Sequence, residues 1–322
     1  MNSLTKPIQN NLIHIVCSID KNYLQHCAVT ITSIFSNTST DNIAISIIYS
    51  NIDNESKTRL DLFIKEFTPY VKFILINEED LKRFPISDHI TLASYYRIFL
   101  ADLIDPKIKK VLFLDCDLII KKDLTPLWNI DISEYSHAAV IEYGVDNIHK
   151  ESIGMIYNEP YFNAGVMLIN LEYWRDQLVS QKAIQYIKQN TSKIKYWDQD
   201  VLNFVLQSKW VSINPSWNAT GIAFRSEVWE SCNFSRLTYK ELTQASLDPY
   251  IIHFTGSYKP WHSYSVHPLK QEYYHYLIKT PWQDFKPIGK PSFIAKIILR
   301  LTKYLAFFKN TIYILLFRLL KK

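Results

Sequence analysis

Glycine is scarce, with only six residues in a chain of 322: Gly144, Gly154, Gly165, Gly221, Gly256 and Gly289. Spaced this widely, they can form neither the glycine-rich dinucleotide fingerprint nor the phosphate-binding P-loop, so two common routes to nucleotide binding are excluded. Cysteine is scarce too, and Cys17, Cys27, Cys116 and Cys232 include no Cys-x-x-Cys pair. Cys17 and Cys27 fall within apolar patterning and read as reduced core thiols, with no disulfide and no zinc site expected. The first residues, Met1 to Asn11, lack the apolar run of a secretory signal, so export is not expected. Acidic residues are missing altogether beyond Phe285, where nine of the 36 basic residues lie, leaving a body of 27 basic against 31 acidic residues, or −4. A nucleic-acid binder spreads positive charge over its folded surface. A mildly acidic body with a basic, apolar end argues instead for no nucleic-acid partner and for a surface-binding tail.

The hydrophobic share of 48% and the charged share of 21% are those of a folded globular chain, long enough for one large domain with additions. Apolar runs at His14 to Ile19, Ile43 to Tyr49 and Val71 to Ile76 alternate with helical spacing, first through Leu24, Cys27, Ala28, Ile31, Ile34 and Phe35, then through Leu60, Phe63, Ile64 and Phe67. Further strands are predicted at Lys110 to Leu114, Ala138 to Ile141, Val166 to Asn170 and Ile251 to Phe254, with helices over Thr91 to Leu103, Trp174 to Gln189 and Asp198 to Gln207. The alternation predicts an α/β fold with a mainly parallel sheet flanked by helices. Ligands of such sheets sit at the carboxyl ends of strands, which directs attention to polar residues just after apolar runs.

Lys110 to Leu114 runs directly into Asp115-Cys116-Asp117. Aspartates two apart on an extended chain point the same way and can offer oxygens to one divalent cation. An Asp-x-Asp pair arises about once by chance in a chain of ordinary composition, so alone it reads equally as a solvated strand end. His253 closes another apolar run and is followed by Gly256 and Lys259. A lone histidine beside a strand is often structural, but glycine permits close approach to an anion and lysine supplies a point charge for phosphate. Two carboxylates and an imidazole suit Mn²⁺ or Mg²⁺, with the imidazole favouring manganese. Asn163, Ala164 and Gly165 precede an apolar run, either as an ordinary turn or as a place where a bulky ligand meets the backbone. Asp198 and Asp200 are either the first-turn acids of a helix or, with Gln199, partners for sugar hydroxyls.

In their order along the chain these segments resemble glycosyltransferase family 8, the retaining transferases of nucleotide-diphospho-sugars. The motifs are Ser18-Ile19-Asp20-Lys21-Asn22-Tyr23, Ser94-Tyr95-Tyr96-Arg97, Phe113-Leu114-Asp115-Cys116-Asp117, Phe162-Asn163-Ala164-Gly165, Asp198-Gln199-Asp200, and His253-Phe254-Thr255-Gly256 with Lys259-Pro260-Trp261. The match spans roughly residues 12 to 285, and six ordered motifs are far more specific than any one. One departure is Ile19, where many relatives carry a small residue. The resemblance implies the A-type nucleotide-diphospho-sugar transferase fold. It also implies that Asp20 and Asn22 contact uridine, that Asp115, Asp117 and His253 hold the metal, and that Gly256 and Lys259 meet the diphosphate. Arg97, Asn163, Ala164, Asp198 and Gln199 would surround the donor hexose. Gln199 is a poor nucleophile, which favours front-side attack by the acceptor, with Asp200 the alternative nucleophile.

The Ile-Asp-Lys-Asn start and the region from His267-Pro268 to Thr280-Pro281-Trp282 resemble the branch that builds lipopolysaccharide core. That branch implies transfer of glucose or galactose from UDP-glucose or UDP-galactose to a lipid-anchored oligosaccharide acceptor. The domains expected are a catalytic domain over residues 12–262, a helical extension over 263–291 and a basic amphipathic tail over 292–322. At about 100° per residue, Lys296, Arg300, Lys303, Arg318 and Lys321 share one face of that tail, and Leu301, Leu305, Phe308, Ile312 and Leu319 the other. Lys309 breaks the pattern, and charges keep every run short of the ~20 apolar residues that span a bilayer. The tail therefore predicts a peripheral enzyme on the cytoplasmic face of a bacterial inner membrane. The same tail also suits a helix docked on the protein's own core. Two rivals are a relative that glycosylates protein or another surface glycan, and a non-catalytic protein that binds a sugar nucleotide or a membrane surface.

Overall fold

The runs of β-branched and aliphatic residues form strands where both their faces can be covered. The structure, a computed structural model, describes residues 12–40, 42–81, 84–85, 92–225, 235–257 and 259–289. The tail 292–322, with its membrane-binding expectation, lies outside the described residues. Strands β1 (Ile13–Ile19), β2 (Ile43–Tyr49), β3 (Val71–Leu75), β4 (Lys110–Leu114), β6 (His137–Ile141), β7 (Phe162–Asn170) and β8 (Trp210–Ser212) make one sheet in the order β3-β2-β1-β4-β7-β6-β8. A second, two-stranded sheet pairs β5 (Leu118–Ile120) with β9 (Ile251–His253). The sheet is mixed and mostly parallel, as expected, with β7 antiparallel to both β4 and β6.

The alternation of side chains along β4 divides the core. Val111 and Phe113 pack with Tyr95, Tyr96 and Trp174 on one face, while Leu112 and Leu114 pack with the helix Leu24–Asn37 on the other. Near the carboxyl end of the chain, the helix Lys270–Leu277 lies against the helix Leu24–Asn37. Its Tyr273 shares a hydrogen bond of 2.7 Å with His26, whose ring stacks on Trp261 with centroids 3.4 Å apart.

Three expectations are corrected. The segment predicted as a helix over Thr91 to Leu103 is a 3-10 helix, Leu92–Phe99, followed by a single α-turn, Leu100–Leu103; over so few residues the repeats of 3.0 and 3.6 give the same apolar pattern. The helix predicted from Trp174 to Gln189 is two helices, Leu171–Asp176 and Val179–Asn190, because Leu178 between them takes a left-handed conformation with φ 53°. Strand β7 starts at Phe162, so Asn163, Ala164 and Gly165 lie inside the strand and are not a turn before it.

Candidate active site

From β1 the chain steps outward to β2 and β3, then returns to place β4 on the other side of β1. This reversal of direction opens a crevice at the carboxyl ends of β1 and β4, the usual ligand position in open α/β sheets. A cavity of about 440 Å³ occupies it, lined by Asp20 from the end of β1 and by Asp115 and Asp117 from the end of β4. Asn163, Ala164, His253, Gly256 and Lys259 also line it, as do Arg97 from the 3-10 helix and Asp198 and Gln199 from the start of the helix Trp197–Leu206.

Register decides how the three residues expected to bind metal meet. Antiparallel pairing sets Leu118 opposite His253, and the Phe254 amide donates to the Asp117 carbonyl at 3.0 Å. The His253 Nε2 atom then lies 3.3 Å from Asp117 Oδ1 and 3.8 Å from Asp115 Oδ2. One donor atom from each of the three lies within 4.8 Å of the others, a separation one cation can bridge. On the other edge of β4, the Asp115 amide donates to the Gly165 carbonyl at 2.9 Å, which brings β7 against the carboxylates.

Two further residues make this arrangement possible, of which sequence reasoning missed Asn218. A Cβ on Gly165 would sit 2.8 Å from Asp115 Oδ2 and closer still to the His253 ring, so only glycine lets the three groups close over the strand. Gly165 was visible in the Asn-Ala-Gly motif, though not as a requirement of space. Asn218, buried in the short helix Pro215–Asn218, aims the imidazole. Its amide nitrogen donates to Asn163 Oδ1 at 2.9 Å, which turns its oxygen toward His253 Nδ1 at 2.8 Å. Nδ1 therefore carries the proton, and the Nε2 lone pair is left for the carboxylate side, as a metal-ligating histidine requires. Asn163 is in turn held by Glu142 Oε2 at 2.9 Å.

The charges are neutralised by two cations. Burial alone would raise the Asp117 carboxyl, but Lys259 Nζ at 2.5 Å holds it well below the usual carboxylate range. Arg97, stacked 4.5 Å over the Phe113 ring, donates to Asp115 Oδ1 at 2.7 Å and to the Ala164 carbonyl. Burial opposes its charge, yet Asp115 and Asp198 outweigh that and keep the guanidinium protonated. The Arg97 Nε atom approaches Asp198 Oδ2 at 2.8 Å, while its N–H is directed to the Ser94 carbonyl at 3.2 Å. Asp198 Oδ2 is thus buried at the cavity without a directed hydrogen bond. Burial pushes this carboxyl up to about 7, against the pull of Arg97 and with the push of Asp115.

Two residues expected at the site are not brought to the cavity. Asp200 is wholly buried and hydrogen-bonded on both oxygens: Tyr161 and His149 reach Oδ1 at 2.6 and 2.8 Å, and the backbone amides of Lys195 and Tyr196 reach Oδ2 at 2.7 Å each. It anchors the start of its helix, the alternative its sequence position also allowed. Asn22 is exposed, with its backbone amide donating to Asp20 Oδ1 at 2.8 Å, and does not line the cavity. Gln199 does line it, with its carbonyl accepting from the Ala164 amide at 3.0 Å and its side chain also hydrogen-bonded to Tyr161.

Three cysteines were expected as separate core thiols or went unread; the structure brings Cys17, Cys27 and Cys116 together in one buried cluster. Cys232 lies outside the described residues.

A doubly flanked sheet with paired aspartates, histidine and lysine at its switch point defines the A-type class of nucleotide-sugar transferases. The solved structure of the galactosyltransferase LgtC, in complex with donor and acceptor sugar analogs, superimposes with a TM-score of 0.76 at 26% identity, covering 84% of this chain and 96% of that one. The model of the family described as glycosyl transferase family 8 matches residues 14–265, and the chain belongs to that family. It is a retaining glycosyltransferase that uses nucleotide sugars. Similar relatives include General stress protein A of Bacillus subtilis, 33% identical over 88% of this chain and 98% of the relative. Lipopolysaccharide 1,3-galactosyltransferase of Salmonella typhimurium is 29% identical over 84% of this chain and 79% of its own length.

Removing the Asn218 amide should weaken divalent-cation binding by about 10–100-fold, as loss of an outer-shell partner typically does. Gly165→Ala should abolish binding, and calorimetric titration of both variants against the parent, with circular dichroism to check folding, measures this. Asp198 gives a pH dependence of definite sign. A carboxyl whose folded pKa lies above its unfolded value favours folding at low pH and loses that contribution as pH rises from about 4 toward about 7. Denaturant midpoints should therefore fall over that window more steeply for the parent than for Asp198→Asn.

Proposed function

We propose that the chain transfers glucose or galactose from UDP-glucose or UDP-galactose to a lipid-anchored oligosaccharide of the lipopolysaccharide core, with Mn²⁺ as cofactor. The observation that carries this reading is the convergence of Asp115, Asp117 and His253, each with a ligand atom toward one cavity that also holds Lys259 and the unsatisfied oxygen of Asp198. The mixed oxygen and nitrogen donor set suits Mn²⁺ over Mg²⁺. A divalent cation held there supplies charge stabilisation to the departing diphosphate. Lys259 uses two of its three N–H donors on Asp117 and the Phe254 carbonyl, at 2.5 and 2.9 Å, and keeps one for a diphosphate oxygen. Gly256, at φ 79°, leaves open space beside that position. Asp20 stands at the end of β1 for the nucleoside, and Asp198 Oδ2 and the Gln199 amide present an acceptor and a donor to sugar hydroxyls.

Retention through front-side attack fits these residues. An amide at the cavity is a poor nucleophile, and the full set of hydrogen bonds on Asp200 opposes its use as one. Arg97 neutralises Asp115 and backs Asp198, fixing both carboxylates while charge develops on the leaving group.

The acceptor is argued from relatives named as lipopolysaccharide transferases and from the basic tail, which would hold the enzyme at the cytoplasmic face of the inner membrane, where a lipid-anchored acceptor is met at high local concentration. Among the described residues no helix is long and apolar enough to cross a membrane. The alternative is a second acceptor class, a protein or another surface glycan, since several relatives, General stress protein A among them, are not named for lipopolysaccharide.

Release of UDP from a panel of UDP-sugars, with Mn²⁺ and with chelator, tests the reading. One UDP-hexose should turn over only with metal, and Asp117→Asn should lose that turnover while retaining its circular dichroism spectrum. Turnover that survives in this variant would remove the metal assignment. Deleting residues 292–322 should abolish co-sedimentation with anionic vesicles, and unchanged sedimentation would remove the tail from the proposal.

A further inference from the structure

We propose that Cys17, Cys27 and Cys116 form a binding site for one soft, thiophilic cation behind the turn that carries Asp115 and Asp117. The thiols come from three places in the fold: Cys17 from β1, Cys27 from the helix Leu24–Asn37 and Cys116 from the turn between β4 and β5. Their sulfur atoms all lie within 4.8 Å of one another, and the residues are 0%, 0% and 4% exposed. With metal–sulfur bonds of about 2.3 Å, a three-coordinate ion needs sulfurs about 4 Å apart, a spacing the cluster reaches with small side-chain adjustments.

The donor set selects the ion. Sulfur donors take soft cations and leave hard Mn²⁺ and Mg²⁺ to oxygen, so this site and the carboxylate site do not compete for the same metal. Structural zinc takes four ligands, whereas three thiols meet here. A closed-shell soft ion that accepts three-coordination, such as Cu(I) or Cd²⁺, fits that count. Binding forms three metal–sulfur bonds. A buried apolar site favours overall neutrality, so Cd²⁺ displaces two thiol protons to solvent and Cu(I) displaces one, each remaining thiol coordinating as a neutral donor. No electron is transferred.

Asp115 and Asp117 line the cavity, and Cys116 between them, which also borders it, packs with Cys17 and Cys27 in the core. The Cys116 backbone is already tied to the helix, because Thr30 Oγ1 donates to its carbonyl at 3.2 Å. A cation on the three thiols would brace the same turn from the core side, joining it to β1 and to that helix.

The test requires no sugar transfer, so its failure is separate from failure of the proposed activity. Reduced, chelator-treated full-length protein is titrated with Cd²⁺ in excess Mg²⁺, and anaerobically with Cu(I). A thiolate-to-metal absorption band saturating at one equivalent is expected, retained in Asp117→Asn and Cys232→Ser and lost in Cys27→Ser. X-ray absorption at the cadmium edge of the parent protein should count three sulfur neighbours, a readout that holds even where Cys27→Ser fails to fold. No band with either ion, a band that survives Cys27→Ser, or a shell of oxygen and nitrogen would overturn the proposal and leave three packed core thiols.

Discussion

Two carboxylates leave the end of a strand whose last four residues are fully buried, and the rest of the site is arranged around holding that charge. Taken alone, two carboxylates this close together would repel each other. Arg97 and Lys259 supply opposite charge from either side, and His253 enters between the two acids. The guanidinium reaches Asp115 because a 3-10 helix packs against β1, and the ammonium reaches Asp117 because the chain bends at Gly256 after β9. The fold therefore assembles a site whose paired carboxylates already meet opposite charge on either side.

The same economy governs the neutral groups. The His253 ring is oriented by an amide relay that runs through Asn218 and Asn163 to Glu142, each member using its oxygen or nitrogen in one fixed sense. Such a relay rigidifies because reversing one amide leaves its neighbours unsatisfied. Gly165 contributes by lacking a side chain, since β7 runs so close to the carboxylates that a methyl group would meet the imidazole.

Strands β1, β2 and β4 were legible almost to the residue because most of their side chains are buried, which leaves a mainly apolar run as the signal. Where the signal was weak, the reason is physical. The 3-10 helix around Arg97 spans only eight residues, too short a run for its apolar pattern to separate a repeat of 3.0 from one of 3.6. The break at Leu178 depends on a left-handed residue that no glycine marks. The start of β7 carries Asn163 and Gly165 among its buried residues because it lines the cavity, and these break the apolar run. Strand β5 has three residues, too few for any period to declare itself, whereas the equally short β9 was legible as the apolar run Ile251 to Phe254.

The sequence by itself determined an α/β chain, the pairing of Asp115 with Asp117 at a strand end, and the ordered motifs that place it in its family, because these depend on residue type and local spacing. Only the tertiary structure decided that His253 faces both aspartates, that Asp198 meets the cavity while Asp200 serves its helix, and that Asn218 aims the imidazole. The same holds for Cys17, Cys27 and Cys116, whose thiols share one point in the core although the chain separates them by up to 99 residues. The physical reason is that contact between distant residues follows from strand order and register, which are set by how the whole apolar surface is buried.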